Sequence, residues 1–341
     1  MPNDIVHVGI IVGFDDVRTI EREADDPGEG VGINDLWRLF EILRQERRLR
    51  WTRLHITPNY FRQASRHSFR RHRLLYNAIS DADQNPKVLS VAHKLVRANS
   101  TIPIVNPPTT IAKCTRERVA DALDGHSGVL SPRTIRLRRQ RPELQFERLL
   151  KDGVSLPIII RPLASHTGIG MQRCETKNEV LAAFAAIGDA CYATEYVDYR
   201  SPDGLYRKYR AVRIGKRVVF RHMIASDRWL IHAGEKERFT ASRDDLLREE
   251  RKEHLISADS RFAASAATLE SITATTGLDY VGIDYSYMPN GDILVFEVNP
   301  TMTVVPFSVD PYDNKSIFLP RALDALETLV ASKMADERAE A

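Results

Sequence analysis

Residues 282–300 read GIDYSYMPNGDILVFEVNP, two runs of strand-forming residues joined by Asn290 and Gly291. Asn-Gly favours a two-residue type I′ turn, because both central positions need positive φ. With that turn Pro289 pairs with Asp292. Counting outward then sets Asp284 opposite Glu297 and Gly282 opposite Asn299. Residues two apart share a face of a strand, so Asp284, Glu297 and Asn299 project together, with Phe296 and Val298 on the other side. Two opposed carboxylates repel. In a partly buried setting they raise each other's pKa or need a cation between them. Two acids and an amide carbonyl are hard oxygen donors of the kind Mg²⁺ takes. Gly282 opposite Asn299 is expected to leave open space for a ligand. The competing reading is a solvent-facing hairpin with scattered polar residues.

Upstream, LPIIIRPLASHTGIGM (156–171) is a buried strand, a cation at Arg161 and a loop containing Gly168 and Gly170. Glycines let backbone N–H groups approach phosphate oxygens closely. No Gly-Lys-Ser/Thr follows, and no helix opens directly from the loop, so neither common nucleotide fingerprint applies. Between these stretches lies CYATEYVDYRSPDGLYRKYRAVRIG (191–215). Its cationic strand puts Lys208 and Arg210 on one face, and Arg207, Tyr209 and Arg213 on the other. It reads equally as the wall of a phosphate groove or as a charged edge strand.

The 341 residues exceed what one core usually serves, so two or three units are expected. A net charge of +3, from 49 basic and 46 acidic residues, gives no global case for a nucleic-acid partner. The basic segment Arg62–Arg73 admits a phosphate or acidic-partner patch, but a solvated face is the favoured reading. Cys114, Cys174 and Cys191 lack metal or redox spacing, which suits buried thiols in a reduced, cytoplasmic setting. The apolar run Ile5–Val12 is too short to span a membrane and lacks a signal peptide's basic flank.

Strand signals at Ile5–Gly13, Trp51–Thr57, Leu74–Ser80 and Ile102–Asn106 alternate with helical ones at Asp35–Arg48 and Pro86–Ala98, the pattern of a parallel sheet. Asn106-Pro107-Pro108 closes that unit. The domains expected are an α/β unit over 1–108, a central unit over 109–190 with the glycine loop, a C-terminal unit over 191–333 with the hairpin, and a frayed tail over 334–341. Thr115–Leu123 reads as a helix with basic residues. Val129–Leu137 and Val154–Pro162 read as strands and Asn178–Ile187 as a helix. Tyr206–Ile214 and Arg217–Ala225 form a hairpin about Gly215. Residues 242–276 are helical, and Ala322–Lys333 is the last helix.

Taken in order, PIIIRPLASHTGIGM, ATEYVD and GIDYSYMPNGDILVFEVNP, with their spacing, resemble the ATP-grasp superfamily. NPPTTIAKCTRERVADAL and GVLSPRT resemble the segment ahead of the grasp domain, so the likeness covers residues 100–305. SHTG, DYRSPDG, YRKYR and LDYVGIDY look closest to a bacterial ATP-grasp group often fused to helical repeats, and no such repeat is legible here. The resemblance implies an N-terminal α/β pre-grasp domain followed by a two-subdomain ATP-grasp fold, with ATP and Mg²⁺ (or Mn²⁺) bound between the subdomains. Asp284, Glu297 and Asn299 match its metal ligands. Arg161 stands where most members carry a phosphate-contacting lysine. Ser165, His166, Thr167, Gly168 and Gly170 match the loop that closes over the phosphates. Glu195, Tyr196 and Val197 match the strand that meets adenine, and Asp203 is a candidate ribose contact. Lys208 and Arg210 are candidates for phosphate or acyl-phosphate contacts. Gly282 stands where many ligases carry an arginine, so the transition-state cation is expected from Arg210 or Arg213.

Such enzymes join a small-molecule carboxylate to an amine, or to a thiol, through an acyl-phosphate with release of ADP. The alternatives are a kinase acting on a hydroxyl, or a nucleotide-binding regulator with little turnover. Neither nucleic acid nor membrane is an expected partner; a homodimer is common in the superfamily. RHMIASDRWLIHAGEKERF (221–239) brings His222, Trp229 and His232 toward the expected substrate side, where packed aromatic and histidine side chains are an equal reading. No zinc spacing and no nucleophilic triad is present.

Overall fold

The computed structural model describes residues 6–16, 33–46, 49–63, 66–163, 165, 168–305 and 314–339. Strand β1 (Val6–Gly13) precedes helix α1 (Trp37–Glu46), β2 (Leu49–Ile56), β3 (Leu74–Asn77), α2 (Pro86–Arg97) and β4 (Ile104–Val105). The four strands form a parallel sheet of order β2-β1-β3-β4. Val8, Ile10, Ile11 and Val12 are all buried, as expected of a central parallel strand covered on both faces. The β2–β3 crossover is not a helix. It is an arginine-rich loop with one 3₁₀ turn at Tyr60–Arg62.

After Asn106 come α3 (Pro108–Ile111), α4 (Arg116–Leu123), β5 (Val129–Leu130) and β6 (Thr134–Leu137). The single strand expected over Val129–Leu137 is therefore two. Pro132 lies in the gap, and a proline has no N–H to give a ladder. β5 joins the C-terminal sheet beside β13 (Ile293–Asn299), whereas β6 enters the central one. The central unit continues through α5 (Pro142–Lys151), β7 (Ile158–Pro162), β8 (Gln172–Cys174), α6 (Lys177–Ile187) and β9 (Cys191–Glu195). Its antiparallel sheet has the order β6-β9-β7-β8. A capping box of Thr176 and Glu179 opens α6, and Gly188 closes it at φ 63°. Phe146, Leu149, Val180 and Phe184 from the two helices pack on Ile158, Ile160 and Cys191.

The last unit comprises β10 (Tyr206–Ile214), β11 (Arg217–Ser226), α7 (Asp244–Leu255), α8 (Arg261–Ala274), β12 (Tyr280–Tyr287), β13 and α9 (Asn314–Ala339). Its sheet has the order β11-β10-β12-β13-β5. The helical stretch expected over 242–276 is interrupted at Ile256, which takes φ 54°, and restarts where the Ser260 side chain accepts from the Ala263 N–H. The final helix is longer than expected at both ends, starting at Asn314 and running through Ala339. Its Phe318, Ala322 and Leu326 belong to the same core as Val8, Ile10 and Tyr76 of the first sheet. The chain thus closes on its own beginning.

Candidate active site

The β12–β13 pair decides where the chemistry can sit. Asp284 does face Glu297, and Gly282 does face Asn299. The route to that register differs from the sequence expectation. Met288, not Pro289, pairs with Asp292: the Met288 N–H donates to Asp292 O at 2.8 Å, leaving a three-residue loop with Gly291 at φ 93°. A bulge then inserts Phe296, between Tyr285↔Val295 and Asp284↔Glu297, and restores the pairing.

This face forms one wall of a cavity of about 870 Å³. Arg161, Ser165 and Gly168 of the central unit line it, as do Lys208 and Arg210 of β10 and Arg116 at the start of α4. Asp284 is 5% exposed. Arg210 grips it with two contacts, 2.6 and 2.9 Å, and Lys208 approaches to 3.3 Å. Burial alone would raise this carboxyl; Arg210 and then Lys208 outweigh it and hold the group well below the usual carboxylate range. Glu297 accepts from Arg116 Nη2 at 2.5 Å and from the Asn299 amide. Burial again opposes ionisation, and Arg116 and Arg161 overcome it, although Asp284 pushes the other way. Both acids are ionised at neutral pH. Arg161, lowered to about 10 by burial and by Arg116, remains a cation. Its guanidinium holds the Ser165 hydroxyl and carbonyl, which ties the glycine loop to the strand exit.

Two ionised carboxylates and an amide carbonyl on one face suit a hard divalent ion. Asn299 Oδ1 accepts from the Thr301 N–H at 2.6 Å and keeps a second lone pair. Among the described residues, no group of three or more His, Cys, Asp or Glu side chains could hold a metal, so the amide and outside oxygens would complete the shell.

The opposite end of the cavity is aromatic. Glu195, the last residue of β9, and Tyr196 and Val197 after it enter its lining. Arg173 lies 3.8 Å over the Tyr196 ring, which meets Trp229 edge-on at 5.8 Å. Phe296 packs on Tyr199 at 4.8 Å, and Lys208 Nζ donates to Ile231 O at 3.0 Å. Leu294 and Met171 add apolar lining. This end can take a planar ring, while the cationic end can take phosphates.

The cavity thus gathers Arg161, Ser165, Gly168, Glu195, Tyr196, Val197, Lys208, Arg210, Asp284, Glu297, Asn299, Trp229 and His232. Gly170 is exposed and lies outside the lining; His166 and Thr167 lie outside the described residues. Three expectations fail on geometry. Asp203 points away from the cavity to pair with Arg207. Arg213 shares the face of Arg207 and reaches the Glu270 carbonyl of α8. His222, opposite Arg210, is absent from the lining; burial, then Arg221, Arg210, Lys236 and Lys208, hold its ring neutral. The space expected over Gly282 is filled, since a Cβ there would stand 2.5 Å from that of Met302. Arg116 was missed. The only signal for it was a basic helix start after the Asn106-Pro107-Pro108 break, in a segment that the fold returns to Glu297 of β13.

Cys114 and Cys191 are pushed up to about 12 by burial, so neither thiol is a ready nucleophile. Among the described residues, no helix is long and apolar enough to cross a membrane.

No protein-family model matches the chain, and no curated protein matches its sequence. Solved structures do match its shape over nearly its whole length. The D-alanine–D-alanine ligase of Bacillus anthracis, solved in complex with ATP, is 13% identical at a TM-score of 0.54, over 98% of this chain and 99% of that one. The corresponding ligase of Coxiella burnetii is 11% identical at 0.56, over 98% and 97%. A RimK domain ATP-grasp protein of Sphaerobacter thermophilus is 12% identical at 0.54, over 96% and 100%.

Proposed function

We propose that this chain, whose fold is that of the ATP-grasp proteins, is an ATP- and Mg²⁺-dependent ligase joining a small-molecule carboxylate to an amine. The observation that carries the reading is the pairing of Asp284 with Glu297 on the wall of a cavity that also holds Arg116, Arg161, Lys208 and Arg210. Acids that bind a divalent ion and cations that bind phosphate are needed within a few ångströms of one another for phosphoryl transfer, which asks a protein mainly for positioning and charge.

In this reading Asp284, Glu297 and Asn299 hold the ion, which would neutralise the phosphates. Arg161 and Lys208 align the triphosphate. Arg210 faces the point where the acid substrate takes the terminal phosphoryl group, with ADP leaving; an amine then displaces phosphate from the activated acid. The Ser165–Gly170 loop excludes water from that acyl-phosphate. The aromatic end holds the purine. The named ligase among the structural neighbours supports this reading at the level of fold.

The test is incubation with ATP, Mg²⁺ and a panel of acids and amines. ADP and phosphate appear together only when both substrates are present. ADP without free phosphate would identify a kinase instead, and nucleotide binding without ADP a regulator. Glu297→Gln abolishes release in the first two cases.

A further inference from the structure

The β2–β3 crossover carries a charge imbalance that the cavity does not use. From Leu49 to Ser80 the chain has seven arginines, no lysine and no acid, so the rest of the molecule is net acidic. The overall +3 hides this.

The described part of the crossover is anchored at several points. Tyr60 and Phe69 are buried in the core. His67 stacks on Tyr60 at 5.7 Å, and its N–H donates to Tyr60 Oη at 2.9 Å. The His67 ring also lies 2.8 Å from the His55 carbonyl of β2. The Arg73 N–H donates to His7 O, the residue that pairs with Arg50. The described part of the loop is therefore tied to β2 through His67 and to β1 through Arg73.

Arg50, Arg62, Arg66, Arg70 and Arg71 are exposed there. Among the described residues, none of these five has an ion pair. Five arginines elsewhere, Arg136, Arg173, Arg200, Arg217 and Arg243, do meet a carboxylate. The local field shows in His55: burial lowers it first, and Arg53 and His67 lower it further. None of these residues lines the cavity.

The geometry points to a binding surface for single-stranded nucleic acid on this crossover, with Arg62, Arg66, Arg70 and Arg71 on phosphates and Phe61 stacked on a base. Guanidinium groups give the fork that phosphate oxygens accept in pairs. Phe61, 39% exposed, is the one large apolar side chain the described part of this segment exposes, and it adjoins Arg62. A cationic track with an aromatic platform is what a single strand needs. An acidic protein partner would need an apolar interface centre, which one phenylalanine does not supply.

The experiment is anisotropy of fluorescein-labelled U₁₅ and dT₁₅ with the full chain at rising salt. Both bind, and log affinity falls with log salt at a slope of about −3, since each phosphate contact contributes about −0.7. Arg62→Ala/Arg66→Ala/Arg70→Ala/Arg71→Ala flattens the slope toward zero with an unchanged melting temperature. Phe61→Ala weakens binding about tenfold and leaves the slope alone. A preference for U₁₅ or dT₁₅ tells RNA from DNA as the source of the strand. The proposal is overturned if neither oligonucleotide binds at low salt, or if duplex DNA, polyglutamate or phosphatidylserine vesicles bind as tightly. It fails equally if the slope survives the four substitutions. Should that variant not fold, the Phe61→Ala affinity and the wild-type slope still decide.

Discussion

Strand β10 presents the same chemistry on both faces and uses it for opposite ends. On one face Arg207 meets Asp203 at 2.7 Å and Glu249 at 2.9 Å, Tyr209 donates to Glu249, and Arg213 caps the α8 carbonyl at Glu270. The contacts to Glu249 and Glu270 fasten helices to a sheet, and Asp203 ties in the preceding loop. On the other face Lys208 and Arg210 meet Asp284 inside the cavity. Residue types do not separate the two; the partner strand does. β12 supplies a buried acid to Arg210, while the other face meets a loop acid and a helix acid that remain partly in water. An arginine's role in Tyr206–Ile214 is therefore set by parity along the strand, a matter of one residue.

The sharpest way to break this contrast is Asp284→Asn. Turnover should fall by at least about a hundredfold, the scale seen when a group that stabilises transferring charge is removed. Its acid dependence gives the sign. Asp284 is depressed when folded, so its contribution to stability is complete above the unfolded value near 3.8 and lost as pH falls below it. Wild-type melting temperature should drop steeply below about pH 4, and the variant, already less stable at pH 6, should drop less. Asp35 and Asp83, raised by burial, run the other way and gain stability on protonation. A variant with the wild-type acid slope would show that the ion pair does not form.

Gly282→Ala tests the neighbouring position on the same face. The new methyl meets the Met302 Cβ at 2.5 Å, Sδ at 2.6 Å and Cγ at 2.9 Å. An overpacking cost of about 1–3 kcal/mol is expected by urea denaturation. Met302→Ala in the same chain should recover part of it. Full tolerance of the single substitution would mean that the cavity reaches over Gly282 after all.

How far the site was legible follows from such details. The Asp284–Glu297 pairing is a consequence of strand parity and an Asn-Gly turn, both written locally, and two departures of opposite sign cancelled: a longer loop and the Phe296 bulge. Parity also contained the answer for Arg213, because an alternation that puts Lys208 and Arg210 in the cavity takes Arg213 out. What no local pattern carries is which distant segment fills a space. Met302 folded back over Gly282, and Arg116 brought to Glu297 from 181 positions away, are decided by tertiary packing. The same holds for β5, whose two residues leave the central unit once Pro132 breaks the ladder.

On the helical face the expected losses are structural. Arg207→Ala removes contacts to two acids, but Asp203 is 48% exposed and Glu249 30%, so water compensates much of the loss. A cost of about 1–2 kcal/mol is expected, with turnover per folded molecule unchanged. A fall in turnover at constant stability would carry the influence of this face into the cavity and erase the distinction.

Arg213→Ala should do least of all. Among the described residues its side chain makes one hydrogen bond, to the Glu270 carbonyl at 3.4 Å, near the long limit for such a bond. Stability should change by no more than about 0.5 kcal/mol, and ADP release not at all. The substitution discriminates because it sits three residues from Arg210 on the same strand. A general loosening of β10 would lower turnover in both variants, whereas a role fixed by facing direction affects only Arg210→Ala. Loss of activity in Arg213→Ala with a native melting temperature would require the strand to present its other face to the substrate. That would reverse the assignment of every cation along it.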